Sequence, residues 1–175
     1  MNLFFFLTKL DFKTKFYLTK FKKINVIFYT NKNYDEIGEL IKFCKIQKFK
    51  LYFYDNINLS NKYRVDGLCI SSSNNKMVIN NYLNLDIIGI AHNQKEYSIK
   101  CLQKCRVIFI SPVFFNRKFS ENKILGINKF NLIKLRLEKE VYALGGVNKK
   151  TVRLLKNSNC KGAGFLSAIT HPFKI

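Results

Sequence analysis

Two glycine-marked turns near the carboxyl end of the sequence have the residue types of an anion site. An apolar run, Val141–Leu144, leads directly into Gly145 and Gly146, and a helical pattern follows at once. Glycine has no Cβ, so its amide can approach an anion closely, and a helix N-terminus adds partial positive charge. The next apolar run, Gly164–Leu166, ends at Ser167, which is placed to cap a short helix. We expect these turns to bind a phosphate, although glycines also serve simple tight turns.

A long cationic connection is the second feature with possible chemistry. Residues 111–126 follow an apolar run, exceed the other loops in length and carry Arg117, Lys118 and Lys123. Two interpretations stay open. The segment is either a solvated loop or a flap that closes over an anionic ligand.

The elements that must position these turns are short apolar runs alternating with amphipathic, lysine-rich segments. Fully apolar runs are typical of parallel strands, which are covered on both faces. The candidate strands are Leu3–Leu7, Val26–Tyr29, Lys50–Tyr54, Gly67–Ile70, Ile87–Ala91, Val107–Ile110, Val141–Leu144 and Gly164–Leu166. Eight strand–helix repeats predict an α/β fold of parallel strands, a compact (β/α)8 TIM barrel. In such barrels a phosphate commonly lies between the loops after strands 7 and 8, where both glycine-marked turns fall.

The helical patterns and the length fit one domain over residues 1–175. The clearest helical patterns are Asp35–Lys48, Asn93–Cys105, Asn128–Glu138 and Asn148–Asn157, the last three each opened by an asparagine that can act as N-cap. Glu96 lies three residues after Asn93, as in a capping box. Because 175 residues are few for a barrel, we expect short helices around Ile57–Tyr63 and Asn75–Leu83. No linker or internal repeat divides the chain.

The strong positive charge bears on the class of ligand. The 31 lysines and arginines outnumber the 11 acidic residues, which gives a net charge of +20. They are spread along the whole chain, and Lys, Asn, Ile, Phe and Tyr are abundant together, as A/T-rich codons predict. We therefore expect small phosphorylated ligands, whose approach a basic protein favours, and keep nucleic-acid binding as a third alternative.

The cysteines and the first residues indicate the compartment. Five scattered cysteines without a CxxC pair are typical of reduced thiols. The apolar start, Met1–Lys9, has no preceding basic region and no following cleavage site, so it predicts a strand rather than a signal peptide. No run approaches the roughly 18 apolar residues of a membrane helix. We expect a cytoplasmic protein without membrane association; the oligomeric state is not indicated.

Several short motifs, taken in order, resemble the thiamine-phosphate synthase/TenI family. They are Asp55-Asn-Ile-Asn-Leu-Ser60, Asp66-Gly-Leu-Cys-Ile70, Ile87-Ile-Gly-Ile-Ala-His-Asn93, Ser111-Pro-Val-Phe114, Leu125-Gly126, Ala143-Leu-Gly-Gly-Val147 and Gly162-Ala-Gly-Phe-Leu-Ser-Ala-Ile169. The resemblance covers roughly residues 50–170, and the first 50 residues fit by strand order alone. It implies a barrel that joins a pyrimidine pyrophosphate to a thiazole phosphate and releases pyrophosphate, with Mg²⁺ on the leaving group.

The resemblance also implies roles for individual residues. Gly145, Gly146, Leu166 and Ser167 stand where backbone amides of the family hold the thiazole phosphate. Asp55 stands where the family has a magnesium-binding aspartate, and a carboxylate with an open water shell suits that ion.

The positions that bind the pyrophosphate in the family are matched less completely in this sequence. Lys32 remains of a cationic set after strand 2, and Lys118 can replace a flap lysine after a one-residue shift. Phe28, Thr30 and Tyr54 differ from the family's glutamine, arginine and asparagine, and Asn74 stands near its second metal aspartate. The serine before His92 is not matched either, because Ile90 or Ala91 stands there.

Two functions within the family therefore stay open. Lys32, Asp55 and Lys118 favour a divergent thiamine-phosphate synthase. Phe28, Thr30 and Asn74 favour a TenI-like protein that binds or isomerises a thiazole phosphate without pyrophosphate chemistry.

Overall fold

The apolar runs form a closed barrel of eight parallel strands in the computed structural model, which describes residues 1–30, 36–77, 85–115 and 120–166. The strands are β1 Asn2–Leu7, β2 Asn25–Phe28, β3 Lys50–Tyr54, β4 Gly67–Ile70, β5 Asp86–Ala91, β6 Val107–Ile110, β7 Glu140–Ala143 and β8 Gly162–Phe165. Each strand pairs with the next in sequence, and β8 returns to β1 with Phe4 opposite Gly164. The predicted fold and all eight strands are confirmed.

Helices cover the outside of the barrel. They are α1 Phe12–Leu18, α2 Glu36–Gln47, α3 Ile57–Tyr63, α4 Gln94–Leu102, α5 Gly126–Arg136 and α6 Lys149–Asn157, and a short 3₁₀ turn spans Glu121–Lys123. The expected helix at Asn75–Leu83 falls largely outside the described residues, because only its first three positions are described. No helix of the described part is long and apolar enough to cross a lipid bilayer.

Local sequence signals predict the start of α4 correctly but not the start of α5. Asn93 caps α4 by accepting from the backbone amide of Glu96 at 2.9 Å, but the Glu96 carboxylate accepts from the backbone amide of His92 and the side chain of Asn93 rather than from the backbone amide of Asn93. The prediction that Asn128 opens α5 is wrong. That helix begins at Gly126, whose amide donates to the carbonyl of Val113 at 2.9 Å, so a tertiary hydrogen bond sets its start.

Aromatic rings fill the interior of the barrel. The buried residues there are Phe4, Phe6, Ile27, Tyr52, Cys69, Ile88, Ile90, Val107, Phe109, Tyr142 and Leu144. Phe4 lies edge-on to Phe109 with ring centroids 5.1 Å apart. A Cβ on Gly162 would lie 2.3 Å from the Tyr142 ring, and one on Gly164 would lie 2.9 Å from Phe6. The glycines of β8 thus leave the space that the rings occupy.

A polar cluster closes the amino-terminal end of the barrel. Asp86 accepts two hydrogen bonds from Arg106, at 2.7 and 2.6 Å, and one from the buried hydroxyl of Tyr52 at 2.8 Å. Burial alone would raise the pKa of Asp86, but the hydrogen bonds from Arg106 and Tyr52 outweigh it and lower that pKa. The ionised carboxylate is therefore the stabilising form.

Replacing Asp86 by alanine should lower the free energy of unfolding by about 1–3 kcal/mol at pH 7, because the Tyr52 hydroxyl loses its acceptor. Since the folded pKa is lowered, this contribution is complete above the unfolded pKa of about 4 and disappears as the pH falls through the folded pKa. Urea unfolding at neutral and acidic pH measures both effects.

The matched control is Glu140→Ala, since Glu140 pairs only at 3.7 Å with the exposed Lys161. Such a surface pair contributes about 0–1 kcal/mol. Equal losses in the two variants at pH 7 would contradict a stabilising role for the Asp86 cluster.

Candidate active site at the carboxyl end of the barrel

The carboxyl ends of parallel strands meet in one mouth, and the Gly145–Gly146 turn lies there, directly after β7. Both glycines adopt left-handed backbone, with φ of +83° and +65°. A Cβ on Gly145 would lie 2.9 Å from Pro112 Cα, and one on Gly146 would lie 2.3 Å from the Phe115 carbonyl oxygen. The turn therefore needs glycine for its conformation and for its packing on the connection after β6.

Hydrogen bonds fix the start of that connection to the glycine turn. The amides of Val113 and Phe114 donate to the carbonyls of Leu144 and Gly145, at 2.9 and 3.1 Å. The other end is fixed in turn, because Leu125 donates to the carbonyl of Pro112 at 3.1 Å. Both ends of the predicted flap are thus fixed, while its residues 116–119, including Arg117 and Lys118, lie outside the described part.

The capping residues of α6 satisfy three amides at its start. The Asn148 side chain accepts from the amides of Lys150 and Thr151, at 2.9 and 3.1 Å, and the Thr151 hydroxyl accepts from the amide of Asn148 at 2.8 Å. The predicted N-cap is confirmed. An anion at this turn would therefore have to find its donors before Asn148.

Those donors are present in the glycine turn itself. The amides of Gly145, Gly146 and Val147 donate to no acceptor within the described part of the chain. Successive unpaired amides in a left-handed turn form a concave anion site. Leu166 lies directly after β8, the strand next to β7, and Ser167 falls outside the described residues.

Asp55 lies directly after β3, with its own backbone in the left-handed region. Its Oδ1 accepts from the amide of Ser71 and from the Asn74 side-chain amide, both at 2.9 Å. Its Oδ2 accepts no hydrogen bond from any described residue. The carboxylate is therefore held by the loop after β4 through one oxygen, and the other is available to a ligand.

Asp55 can take part in a magnesium site only if waters and substrate phosphates supply the other ligands. Asn74 turns its NH₂ group to Asp55, while its Oδ1 accepts from the amide of Lys76 at 3.1 Å. The described residues contain no group of three or more acidic, histidine or cysteine side chains that could hold a metal. Mg²⁺ is commonly bound by one or two carboxylates together with waters and substrate phosphates. Asp55 Oδ2 can supply the single protein ligand of such a site.

Two tyrosines occupy the mouth beside Asp55. The rings of Tyr29 and Tyr54 lie 4.2 Å apart and pack against the barrel interior. Burial raises the pKa of Tyr54 to about 12 and also raises that of Tyr29. Both phenols are therefore neutral at physiological pH, and they cannot offset the charge of a pyrophosphate.

Phe28 and Thr30, which flank Tyr29 in the sequence, do not contribute side chains to the mouth. Phe28 is buried in the layer between the strands and the helices. Thr30 is fully buried, and its hydroxyl accepts from the Asn56 side chain at 3.1 Å. These residues contribute to packing and to a hydrogen bond within the fold.

A cavity of about 510 Å³ opens beside Asp55 and extends over the outer face of β4. Its lining includes Asn74 and Lys76. Lys76 is thus a cation near the carboxylate that the sequence analysis missed, because its position falls in the segment expected to form a helix.

His92 lies at the end of β5 and interacts with α4. Its Nδ1 lies 3.1 Å from Glu96 Oε2, which also accepts from the His92 amide at 2.7 Å. These contacts favour a role in the turn between β5 and α4.

Four of the predicted site residues, Asp55, Gly145, Gly146 and Leu166, lie at the carboxyl ends of strands and thus at this mouth. The other three, Lys32, Lys118 and Ser167, lie outside the described residues. The site has two halves, the glycine half at Gly145–Val147 and the Asp55 half, and they differ in the groups that they offer. The glycine half offers backbone amides, whereas the Asp55 half depends on side chains.

Comparison with known proteins gives a consistent set of relatives. The family model described as thiamine monophosphate synthase matches residues 22–169. A thiamine-phosphate synthase of Mannheimia succiniciproducens is 23% identical over 141 residues, covering 77% of this chain and 64% of that protein. One of Prochlorococcus marinus is 25% identical over 137 residues, covering 77% of this chain and 40% of that protein. The match therefore spans less than two thirds of each relative.

Solved structures support the same fold. A thiamine phosphate pyrophosphorylase from Pyrococcus furiosus superposes with a TM-score of 0.75 at 17% identity, covering 95% of this chain and 86% of that one. A thiamine phosphate pyrophosphorylase from Bacteroides thetaiotaomicron gives a TM-score of 0.57 at 12% identity, covering 95% and 82%. At these identities the similarity establishes the barrel fold.

Replacing Asn74 by aspartate should create a metal-dependent site. The substitution turns a hydrogen-bond donor, 2.9 Å from Asp55 Oδ1, into a second carboxylate. Like charges at this distance repel unless a cation lies between them. We expect a melting temperature several degrees below wild type without metal, since ~1 kcal/mol shifts it by roughly 2–4 °C. Millimolar Mg²⁺ should raise it more than it raises the wild-type value.

Asn75→Asp is the control, because Asn75 lines the same cavity but makes no hydrogen bond to Asp55. Thermal denaturation with and without Mg²⁺ compares the three proteins. Identical magnesium shifts in both variants would exclude a site between positions 55 and 74.

Proposed function

The chain belongs to the thiamine monophosphate synthase family, and we propose that it joins a pyrimidinylmethyl pyrophosphate to a thiazole phosphate and releases pyrophosphate. The observation that carries the proposal is the pairing of two half-sites at one barrel mouth. The amides of Gly145, Gly146 and Val147, which donate to no described residue, suit a phosphate, and Asp55 Oδ2, which accepts from none of them, suits a metal-bound leaving group.

The glycine half would hold the thiazole phosphate. Backbone amides of Gly145, Gly146 and Val147 are fixed in direction by the surrounding packing, so they need no rearrangement on binding. We assign Leu166 to the same subsite because β8, which it follows, pairs with β7, and we assign Ser167 there as the next residue in the sequence.

The Asp55 half would hold the pyrophosphate. Asp55 Oδ2 would ligate magnesium, which when bound would offset charge on the leaving group. We assign Lys32 and Lys118 to neutralise the departing oxygens, and Lys76 adds a third cation on the cavity wall. As the bond from the pyrimidinylmethyl carbon to the pyrophosphate oxygen breaks, its electron pair leaves with pyrophosphate, and the thiazole ring bonds to that carbon.

A TenI-like role is the second candidate, and the character of the Asp55 half favours it. Tyr29 and Tyr54 are neutral, Thr30 is committed to a hydrogen bond within the fold, and Asn74 has no charge. On this candidate the protein binds or isomerises the thiazole phosphate without pyrophosphate chemistry.

We propose small phosphorylated ligands and a cytoplasmic location for either candidate. The net charge of +20 favours the approach of anions. All five cysteines are free thiols, and four of them are buried, which fits a reducing compartment.

Incubation with both substrates and millimolar Mg²⁺ tests the proposal, with thiamine phosphate and pyrophosphate as expected products. Asp55→Ala should lower kcat/KM by about 10²-fold or more, the size of effect seen when a preorganised electrostatic group is removed. Its affinity for thiazole phosphate, measured by calorimetry, should stay within about twofold of wild type, because the glycine half is intact.

Glu138→Ala is the control, because this exposed carboxylate precedes the amino end of β7, opposite the end that leads into the mouth, and it should leave both values unchanged. If the wild-type protein binds thiazole phosphate but forms no thiamine phosphate, the TenI-like candidate replaces the synthase. Failure to bind either substrate would reject both.

A further inference from the structure

A lysine is buried beneath the loop that holds Asp55. Lys100 of α4 has no exposed surface, and its Nζ donates to the Asn74 carbonyl at 2.8 Å and to Gln103 Oε1 at 2.9 Å. Burial lowers its pKa. No carboxylate of the described residues lies within 4.0 Å of this ammonium. A buried cation without a close counterion is costly, so packing stability does not account for it.

Gln103 also binds the loop after β4. This residue is 1% exposed, and its Nε2 donates to the carbonyls of Asn74 and Lys76, at 2.8 and 2.7 Å. Lys100 and Gln103 lie three positions apart, so they stand on one face of the chain as it leaves α4. Together they bind two carbonyls of the loop after β4.

The barrel provides the space for the lysine stem. A Cβ on Gly89 of β5 would lie 2.9 Å from Lys100 Cδ and 2.8 Å from Cys105 Sγ. The side chain therefore crosses the strand where that strand has no side chain. The route to the loop depends on a glycine in β5.

Asn74 connects this buried contact to the candidate site. Its carbonyl is held by Lys100 and Gln103, and its side-chain NH₂ donates to Asp55 Oδ1. We propose that Lys100 is a positioning residue, which fixes the loop after β4 so that Ser71 and Asn74 orient the Asp55 carboxylate toward the ligand. The ligand named in the test rests on the proposed function, whereas the fixing of the loop does not.

Lys100 makes no direct hydrogen bond to Asp55 in the described structure. The ammonium donates to a carbonyl and a side-chain amide of the protein, and it reaches Asp55 only through Asn74. Its effect should therefore appear in the order of the loop and in one half of the site.

Lys100→Met keeps a flexible apolar stem and removes the ammonium. Amide hydrogen exchange should become at least tenfold faster at Ser71, whose amide donates to Asp55, and at Lys76, whose amide donates to Asn74. Magnesium pyrophosphate should bind at least tenfold more weakly by calorimetry, while thiazole phosphate affinity stays within twofold. A general loss of structure would instead lower the affinity for both ligands.

Lys95→Met is the matched control, because Lys95 is an exposed lysine of the same helix. Gln103→Met is the second variant should Lys100→Met fail to fold, and it should give the same pattern. Unchanged exchange at Ser71 and Lys76, or faster exchange with unchanged magnesium pyrophosphate affinity, overturns the inference. If wild type itself binds no magnesium pyrophosphate, the proposed synthase fails, and the exchange data still decide the role of Lys100.

Discussion

The packing of aromatic rings inside the barrel is the constraint on which the rest of the structure depends. All eight strands have only four to six residues, so few backbone hydrogen bonds join each pair, and closure relies on a filled interior. Phe4 contacts Phe109 and Tyr142, which connects β1 with β6 and β7 across the barrel. Gly162 and Gly164 of β8 leave room for these rings, so the last strand can close on the first. Closure in turn brings the ends of β3 and β7 to the same mouth.

The same aromatic composition shapes the mouth and explains why its halves differ. Tyr29 and Tyr54 continue the ring packing outward at the ends of β2 and β3. They occupy volume with neutral groups on the side where Asp55 lies. The glycine half depends on backbone amides, whose direction follows from strand packing and two left-handed residues. Backbone donors tolerate sequence change around them, whereas a pyrophosphate site requires particular charged side chains.

The sequence predicted what depends on local pattern. All eight strands, the Asn148 cap and the position of the glycine turn follow from apolar runs, capping residues and glycine. It did not predict features set by tertiary contacts. Lys100 has the pattern of a solvated helix lysine, and the space for its buried stem is left by the glycine at position 89 of the neighbouring strand. The start of α5 likewise depends on the Val113 carbonyl, which lies 13 residues earlier in the chain.

The large net charge and the ordered charges of the site act at different ranges. A charge of +20 attracts any phosphorylated molecule, but this attraction is screened beyond about 8 Å by physiological salt and has no direction at the reacting atoms. Departure of pyrophosphate needs groups that are already oriented before the bond breaks. Asp55 meets that requirement because Ser71 and Asn74 bind one of its oxygens, and the buried Lys100 and Gln103 bind the loop that carries Asn74. On the proposed function, abundant lysine would concentrate the substrate, whereas the network below Asp55 would determine whether the mouth can direct its chemistry.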